Sequence, residues 1–189
     1  MKQLIWFGVV LAIALSVMPA ASVQATVPLP HYVLSTSNVG WMCIQPEYEA
    51  PINGLTIVLQ PCDYQNNYQN YYQRWRFTYV RHNSSGAHLW QLVNLGSGMC
   101  LDLRDGATAD GSPVQQWTCN TTSTTMLWTR EVPKGLTFWQ YRNERSGKCL
   151  DVRGGSQAPG TVLQIYRCTS TATSPNPAQL FQRDDLYFY

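Results

Sequence analysis

Charge, long apolar runs and helical periodicity are all scarce in this 189-residue chain. Only 13% of its residues are charged, with 13 Lys and Arg against 11 Asp and Glu. A balance so close to neutral argues against a phosphate-backbone binder, which needs a concentrated basic surface, and no nucleic-acid partner is expected. Leu4 to Leu15 is the one long apolar run, and its twelve residues fall short of the about 20 that a bilayer requires, so no membrane span is expected. The chain has no Gly-x-Ser-x-Gly elbow, no His-Glu-x-x-His pair and no phosphate-binding loop, so it reads as a non-enzyme. Close cysteine pairs are missing too, and the three histidines (His31, His82, His88) stand apart from the cysteines, so neither a zinc site nor any other metal or cofactor is expected. No 11-residue window after the N-terminal stretch has convincing helical periodicity.

What is present begins with a leader. Met1-Lys2 gives a positive start, the apolar run follows, and Val23 and Ala25 occupy the −3 and −1 places of a signal-peptidase site. Residues 1–25 are therefore expected to be a cleaved signal peptide, and residues 26–189 a single domain, secreted and extracellular. Seven Trp and eleven Tyr supply ample material for a core, which excludes disorder. All six cysteines lie downstream of the cleavage point, where an oxidising compartment would pair them.

Six cysteines allow 15 pairings, and the spacing selects one. Cys43 to Cys62, Cys100 to Cys119 and Cys149 to Cys168 are each 19 positions apart. A glycine stands 11 after each first cysteine (Gly54, Gly111, Gly160), and an apolar residue five before each second one (Ile57, Val114, Leu163). Coincidence at three places without gaps is an internal threefold repeat, and the parsimonious pairing is one disulfide within each copy. The repeat reaches further, to Trp90-Gln91 and Trp139-Gln140, to Asn94 and Asn143, and to a terminal aromatic at Trp75, Trp128 and Phe181. That aromatic arrives 9 residues after the second cysteine in the middle copy and 13 after it in the outer two. The copies run about 32–80, 88–131 and 137–185.

Short β-branched and aromatic segments such as Thr56–Leu59 and Thr161–Tyr166 read as strands, and Asp105-Gly106 and Gly154-Gly155 as turns. About four strands per copy, three copies and no helices predict a closed all-β assembly. The four large aromatics Trp75, Trp128, Trp90 and Trp139, with Phe181, are expected to be buried strand residues.

The segments Gly98-Met99-Cys100-Leu101-Asp102-Leu103 and Gly147-Lys148-Cys149-Leu150-Asp151-Val152 resemble the G-x-C-L-D-V opening of the ricin B-type lectin family. Val114-Gln115-Gln116-Trp117-Thr118-Cys119 and Leu163-Gln164-Ile165-Tyr166-Arg167-Cys168 resemble its Q-x-W-x-C segment. Gln73-Arg74-Trp75 and Gln179-Leu180-Phe181 resemble its terminal Q-x-W. The likeness covers essentially the whole chain after the leader. It implies a β-trefoil, a six-stranded barrel capped by three hairpins, with shallow sugar sites on the outside of the repeats.

The resemblance also implies roles. The Asp two after the first cysteine would accept hydrogen bonds from sugar hydroxyls, for which an ionised acceptor is the stronger partner. The aromatic two before the second cysteine would face the C–H side of a pyranose, and the Gln four before it would frame the site. The third copy keeps Asp151, Gln164, Tyr166 and Gln179, with Ala178 where the family has Asn and Asn176 two residues earlier as the candidate replacement. The second keeps Asp102, Gln115 and Trp117, but Thr125 and Met126 stand where Asn and Gln are expected, leaving Asp102 without its usual steadying partner. In the first copy Gln45, Val58 and Gln60 replace the three, so the fold survives and the site does not. The competing reading of both aspartates is a solvated turn residue.

Glycans of the galactose type are thus the expected partners, through the second and third copies. An alternative is a cell-binding or scaffolding subunit of a secreted toxin complex, similar in layout to the trefoil subunits of cytolethal distending toxins, with a toxin or enzyme chain as partner. The segment Tyr64–Tyr72, rich in Tyr and Asn, would then supply protein contacts. A trefoil protease inhibitor is a third class, but no reactive loop stands out.

Overall fold

The computed structural model describes residues 32–37, 42–63, 70–171 and 173–185. The expected leader and most of the Tyr64–Tyr72 segment (residues 64–69) lie outside the described residues.

Among the described residues, twelve strands fall into three groups of four. The first holds β1 (Tyr32–Thr36), β2 (Met42–Pro46), β3 (Ile57–Pro61) and β4 (Arg74–His82). The second holds β5 (His88–Asn94), β6 (Cys100–Leu103), β7 (Val114–Trp117) and β8 (Trp128–Glu131). The third holds β9 (Gln140–Asn143), β10 (Cys149–Val152), β11 (Leu163–Tyr166) and β12 (Phe181–Asp185). The outer strands of each group pair antiparallel around a ring, β12 with β1, β1 with β4, β4 with β5, β5 with β8 and β8 with β9. A bridge between Trp139 and Phe181 closes it. The inner strands form the hairpins β2–β3, β6–β7 and β10–β11. Six barrel strands and three hairpins make a β-trefoil, and closing the ring removes exposed strand edges.

The disulfides are Cys43–Cys62, Cys100–Cys119 and Cys149–Cys168, one in each group, with Cα atoms 5.0, 5.0 and 5.1 Å apart. The recurring glycine has an equally definite task. Gly54, Gly111 and Gly160 have φ of +88°, +86° and +80°, a region that costs a side chain dearly and glycine little. Each turns its N–H onto the next hairpin in a cycle: Gly54 donates to the Gln116 carbonyl (2.9 Å), Gly111 to Ile165 (2.9 Å) and Gly160 to Leu59 (2.7 Å). The return bonds run from the Gln116, Ile165 and Leu59 amides to Leu55, Ser112 and Thr161. Threefold spacing in the sequence thus becomes threefold stitching of the hairpin cap.

One core fills the barrel, including Leu34, Ile44, Leu59, Leu101, Leu150 and Ile165. Trp75, Trp128 and Phe181 are fully buried in it. The Trp75 indole also donates to the Ile44 carbonyl (3.0 Å) and that of Trp128 to Leu101 (3.1 Å), answering the need of a buried N–H for a partner. Trp90 and Trp139 differ from expectation, being half-buried. They sit on the barrel rim, where the Arg130 guanidinium lies over both rings, 4.1 and 5.6 Å from their centroids. Arg183 lies over Trp139 as well, 4.8 Å from its centroid, while Trp139 packs against the core and Trp90 against Tyr79, so each ring has a cation beside its apolar neighbours. Trp139 lies in the closing bridge just before β9 and outside the named strands.

Candidate functional site

Strand alternation builds the site. In β6, Leu101 and Leu103 face the core, so Asp102 points to the opposite face. In β7 the core residue is Val114, and Gln115 and Trp117 therefore share the outward side with Asp102. The register sets Asp102 directly opposite Gln115. The third group repeats this pattern, with Leu150, Val152, Leu163 and Ile165 inward, Asp151 opposite Gln164, and Tyr166 beside them. In the first group the same place holds Gln45 opposite Val58.

Asp102, Gln115 and Trp117 line a cleft of about 750 Å³, and Asp151, Gln164, Tyr166 and Asn176 a smaller pocket of about 380 Å³. Both aspartates are strand residues only 5% exposed, which overturns the reading of them as solvated turn residues. The aromatics stand out to solvent, Trp117 at 42% and Tyr166 at 36% exposure. Each cavity thus has a buried carboxylate at its floor and a flat ring at its side.

In the third group the Asp151 carboxylate accepts from Gln164 Nε2 (2.8 Å) and from Gln179 Nε2 (3.1 Å). Gln179 lies behind it and is itself anchored, its Nε2 donating to the Arg167 carbonyl (2.8 Å) and its Oε1 accepting from the Thr169 amide (2.9 Å). Arg153 Nε donates to Gln164 Oε1 (2.9 Å), fixing the orientation of that amide. Burial pushes the Asp151 carboxyl above the ordinary range, the donated bonds of Gln164 and Gln179 pull it down, and Asp110 adds a smaller upward push. Asn176 lines the pocket, but its Oδ1 accepts from the Ala178 amide (3.1 Å) and its Nδ2 donates to Thr169 Oγ1 (2.8 Å). It therefore caps the short 3-10 turn Pro177–Gln179 as well as facing the pocket.

The second group departs from the expectation that Asp102 lacks a steadying partner. Thr125 Oγ1 donates to Asp102 Oδ1 (2.5 Å) while Gln115 Nε2 donates to Oδ2 (2.9 Å). The other task of the terminal Gln is to accept the amide that follows the second cysteine. Gln73 does this for Asp63 (2.9 Å), Gln179 for Thr169, and the Met126 sulfur for Asn120 (3.3 Å). Two residues thus divide between them what one Gln does elsewhere, and thioether sulfur is the weaker acceptor. In the first group Gln73 Nε2 donates to Gln45 Oε1 (2.8 Å), so the hydrogen-bond frame persists around a neutral amide where the others have a carboxylate.

The profile of the ricin-type beta-trefoil lectin domain-like family matches residues 71–166, half of the chain. The chain belongs to this family. Solved structures agree in fold. This ricin-type trefoil superposes on ThreeFoil, a designed threefold-symmetric protein, with a TM-score of 0.68 at 21% identity, covering 82% of this chain and 99% of that one. A Polyporus squamosus lectin, solved bound to a human-type influenza-binding epitope, gives 0.64 at 13% identity, with 82% of this chain and 49% of that one covered. The cytolethal distending toxin of Actinobacillus actinomycetemcomitans gives 0.60 at 13% identity, over 80% of this chain and 88% of that one. No curated protein matches the chain. Among the described residues no helix is long and apolar enough to cross a membrane, and no group of three or more His, Cys, Asp or Glu is placed to hold a metal ion.

Several lining residues of this trefoil escaped the sequence reading. Asp105, Asn120, Thr121 and Ser123 border the larger cleft. Their signal was the short return of the middle repeat, which brings its terminal aromatic back 9 residues after Cys119 where the outer repeats take 13. Asp110 reaches across from the second repeat to the rim of the third-repeat pocket, accepting from Lys148 Nζ (2.5 Å) and Arg167 Nε (2.9 Å). Those bonds hold its carboxyl below the usual range and set Arg167 beside the Tyr166 ring, 5.6 Å from its centroid.

Proposed function

We propose that this chain is a secreted carbohydrate-binding lectin that takes galactose-type sugars in the cavities of its second and third repeats, with residues 1–25 removed as a leader and residues 26–189 forming the trefoil domain. One observation carries the reading. A buried carboxylate, already held by neutral donors, lies beside an exposed ring in two repeats, and in the first repeat an amide replaces it. An acceptor at the floor and an apolar face at the side suit a pyranose, which offers vicinal hydroxyls on one aspect and C–H groups on another. Asp102 and Asp151 are the acceptors, Trp117 and Tyr166 the platforms, Gln115 and Gln164 the framing amides, Gln179 the residue that steadies Asp151, and Asn176 a polar group at the third-repeat rim. Two such sites on one rigid body gain strength together on a glycan-coated surface. A glycan array with the unaltered chain and with Asp102→Ala plus Asp151→Ala tests this. Binding of galactosides that disappears in the double variant supports the reading, and binding that survives it sinks it.

A second reading is favoured by layout: the chain spans 88% of the toxin chain with which it superposes. As a subunit of a secreted toxin complex it would use its first repeat, where Tyr48, Ile52 and Tyr71 are exposed at 67%, 57% and 56%. Co-purification of a partner chain that is lost on Tyr48→Ser plus Ile52→Ser, with sugar binding intact, favours this reading.

A further inference from the structure

The two cavities are not equivalent, and the difference centres on a carboxylate outside the expected set. The second-repeat cleft has about twice the volume of the third-repeat pocket, about 750 against 380 Å³, so if the pocket seats one sugar unit the cleft has room for a second. Asp105 lines that cleft, three residues after Asp102, and Gly154 holds the corresponding place in the pocket. Asp105 is exposed and makes no hydrogen bond or ion pair with any described residue. Its φ is +55°, the sole non-glycine residue with positive φ among the described residues, while Gly154 stands at +64°. Glycine fills the same turn at Gly154, and Asp is among the few other residues that tolerate this region, so the turn permits the Asp105 side chain without requiring it.

Arginines surround the cleft without entering its lining. No Lys or Arg lines the cleft. The Arg104 guanidinium is turned away to the Gly54 carbonyl (2.8 Å) and Thr56 Oγ1 (2.9 Å), while Arg145 Nε donates to the Gly106 carbonyl (3.1 Å) and Arg81 Nη1 to the Thr121 carbonyl (3.2 Å). Asp102 at the floor and Asp105 at the mouth are the charged side chains that line the cleft itself, so a hydroxyl entering it meets two anionic acceptors.

We propose that Asp105 determines the specificity of this cleft, accepting hydroxyl hydrogen bonds from a second sugar unit next to the one seated at Asp102 and Trp117, so that the cleft favours oligosaccharides of two or more units over single sugars. The inference rests on the sugar-binding reading above. The experiment uses the full chain carrying Asp151→Asn, so that the second-repeat cleft reports alone. It is titrated with galactose and with a neutral galactose-terminated trisaccharide. Asp105→Gly installs the residue that the third repeat tolerates. It should weaken the neutral trisaccharide about tenfold, the size of one charge-assisted hydrogen bond at an exposed place, and leave galactose within twofold. Asp105→Asn, which keeps an acceptor and removes the charge, should weaken the trisaccharide less than Asp105→Gly does. An unchanged trisaccharide affinity in Asp105→Gly overturns the proposal, as does an equal loss for galactose, which would place Asp105 at the first unit. Galactose bound by the unaltered chain without any gain for the trisaccharide overturns this inference and leaves the lectin reading standing. No sugar bound at all overturns both.

Discussion

Asp151→Asn separates a ligand-binding carboxylate from a structural one. In the folded chain its two oxygens accept from Gln164 Nε2 and Gln179 Nε2 at 2.8 and 3.1 Å. Asparagine keeps one acceptor and presents an amino group where the other oxygen was. The facing donor is not stranded if that is Gln179, because its Nε2 also donates to the Arg167 carbonyl. A lost hydrogen bond to a charged group costs about 1.5–3 kcal/mol. Part of that is returned here, since burial already disfavours the ionised carboxyl and the amide carries no charge to desolvate. The expected stability loss is therefore about 1 kcal/mol or less. A sugar hydroxyl has no such compensation, and losing its charged acceptor should weaken the third-repeat pocket by roughly 10- to 150-fold. Urea unfolding beside a calorimetric or NMR titration with a galactoside, both in an Asp102→Asn background, measures the two effects separately. Affinity within twofold of the parent would refute the assignment. A stability loss above about 3 kcal/mol would make Asp151 a residue of the fold instead.

Trp117→Ala should leave the unfolding midpoint nearly unchanged, because the ring is 42% exposed, and should lower second-repeat affinity about tenfold, as read by titration in the Asp151→Asn background. Third-repeat binding should fade on acidification at a pH above the ordinary Asp value of about 3.9, since burial raises the Asp151 carboxyl and protonation removes the acceptor. For stability the sign is opposite: a raised folded value means that the Asp151 contribution is most favourable below the unfolded value and declines as pH rises through the folded one. Titrations with the galactoside across pH 3–7 in the Asp102→Asn background check the first, and a pH-independent affinity would contradict it. Trp75→Phe should cost about 1–3 kcal/mol in urea unfolding, through the lost bond to Ile44 and the smaller ring, and should still give a folded trefoil, because Phe181 already occupies the equivalent place.

The trefoil was legible because its constraints are covalent and periodic. Cysteines 19 apart and a glycine 11 after each first cysteine report a disulfide and a positive φ, and both depend on residue type alone. The alternation that puts Asp102 beside Trp117, and Asp151 beside Tyr166, is likewise written into the strands. What was not legible depends on packing between segments. Thr125 reads as a lost Asn until the 3-10 turn Thr124–Met126 brings its hydroxyl onto Asp102, and Met126 reads as a lost Gln until its sulfur meets the Asn120 amide. The placing of Trp90 beneath Arg130, and of Trp139 beneath Arg130 and Arg183, joins residues that are not sequence neighbours. Nor could spacing give the volumes of the two cavities, about 750 and 380 Å³.

A structure of the full chain soaked with lactose tests the central claim most directly. The account predicts a galactose ring against Trp117 and against Tyr166, with hydroxyls on the Asp102 and Asp151 carboxylates, and no sugar at Gln45. Lactose bound at Gln45, or absent from both carboxylates, would contradict it.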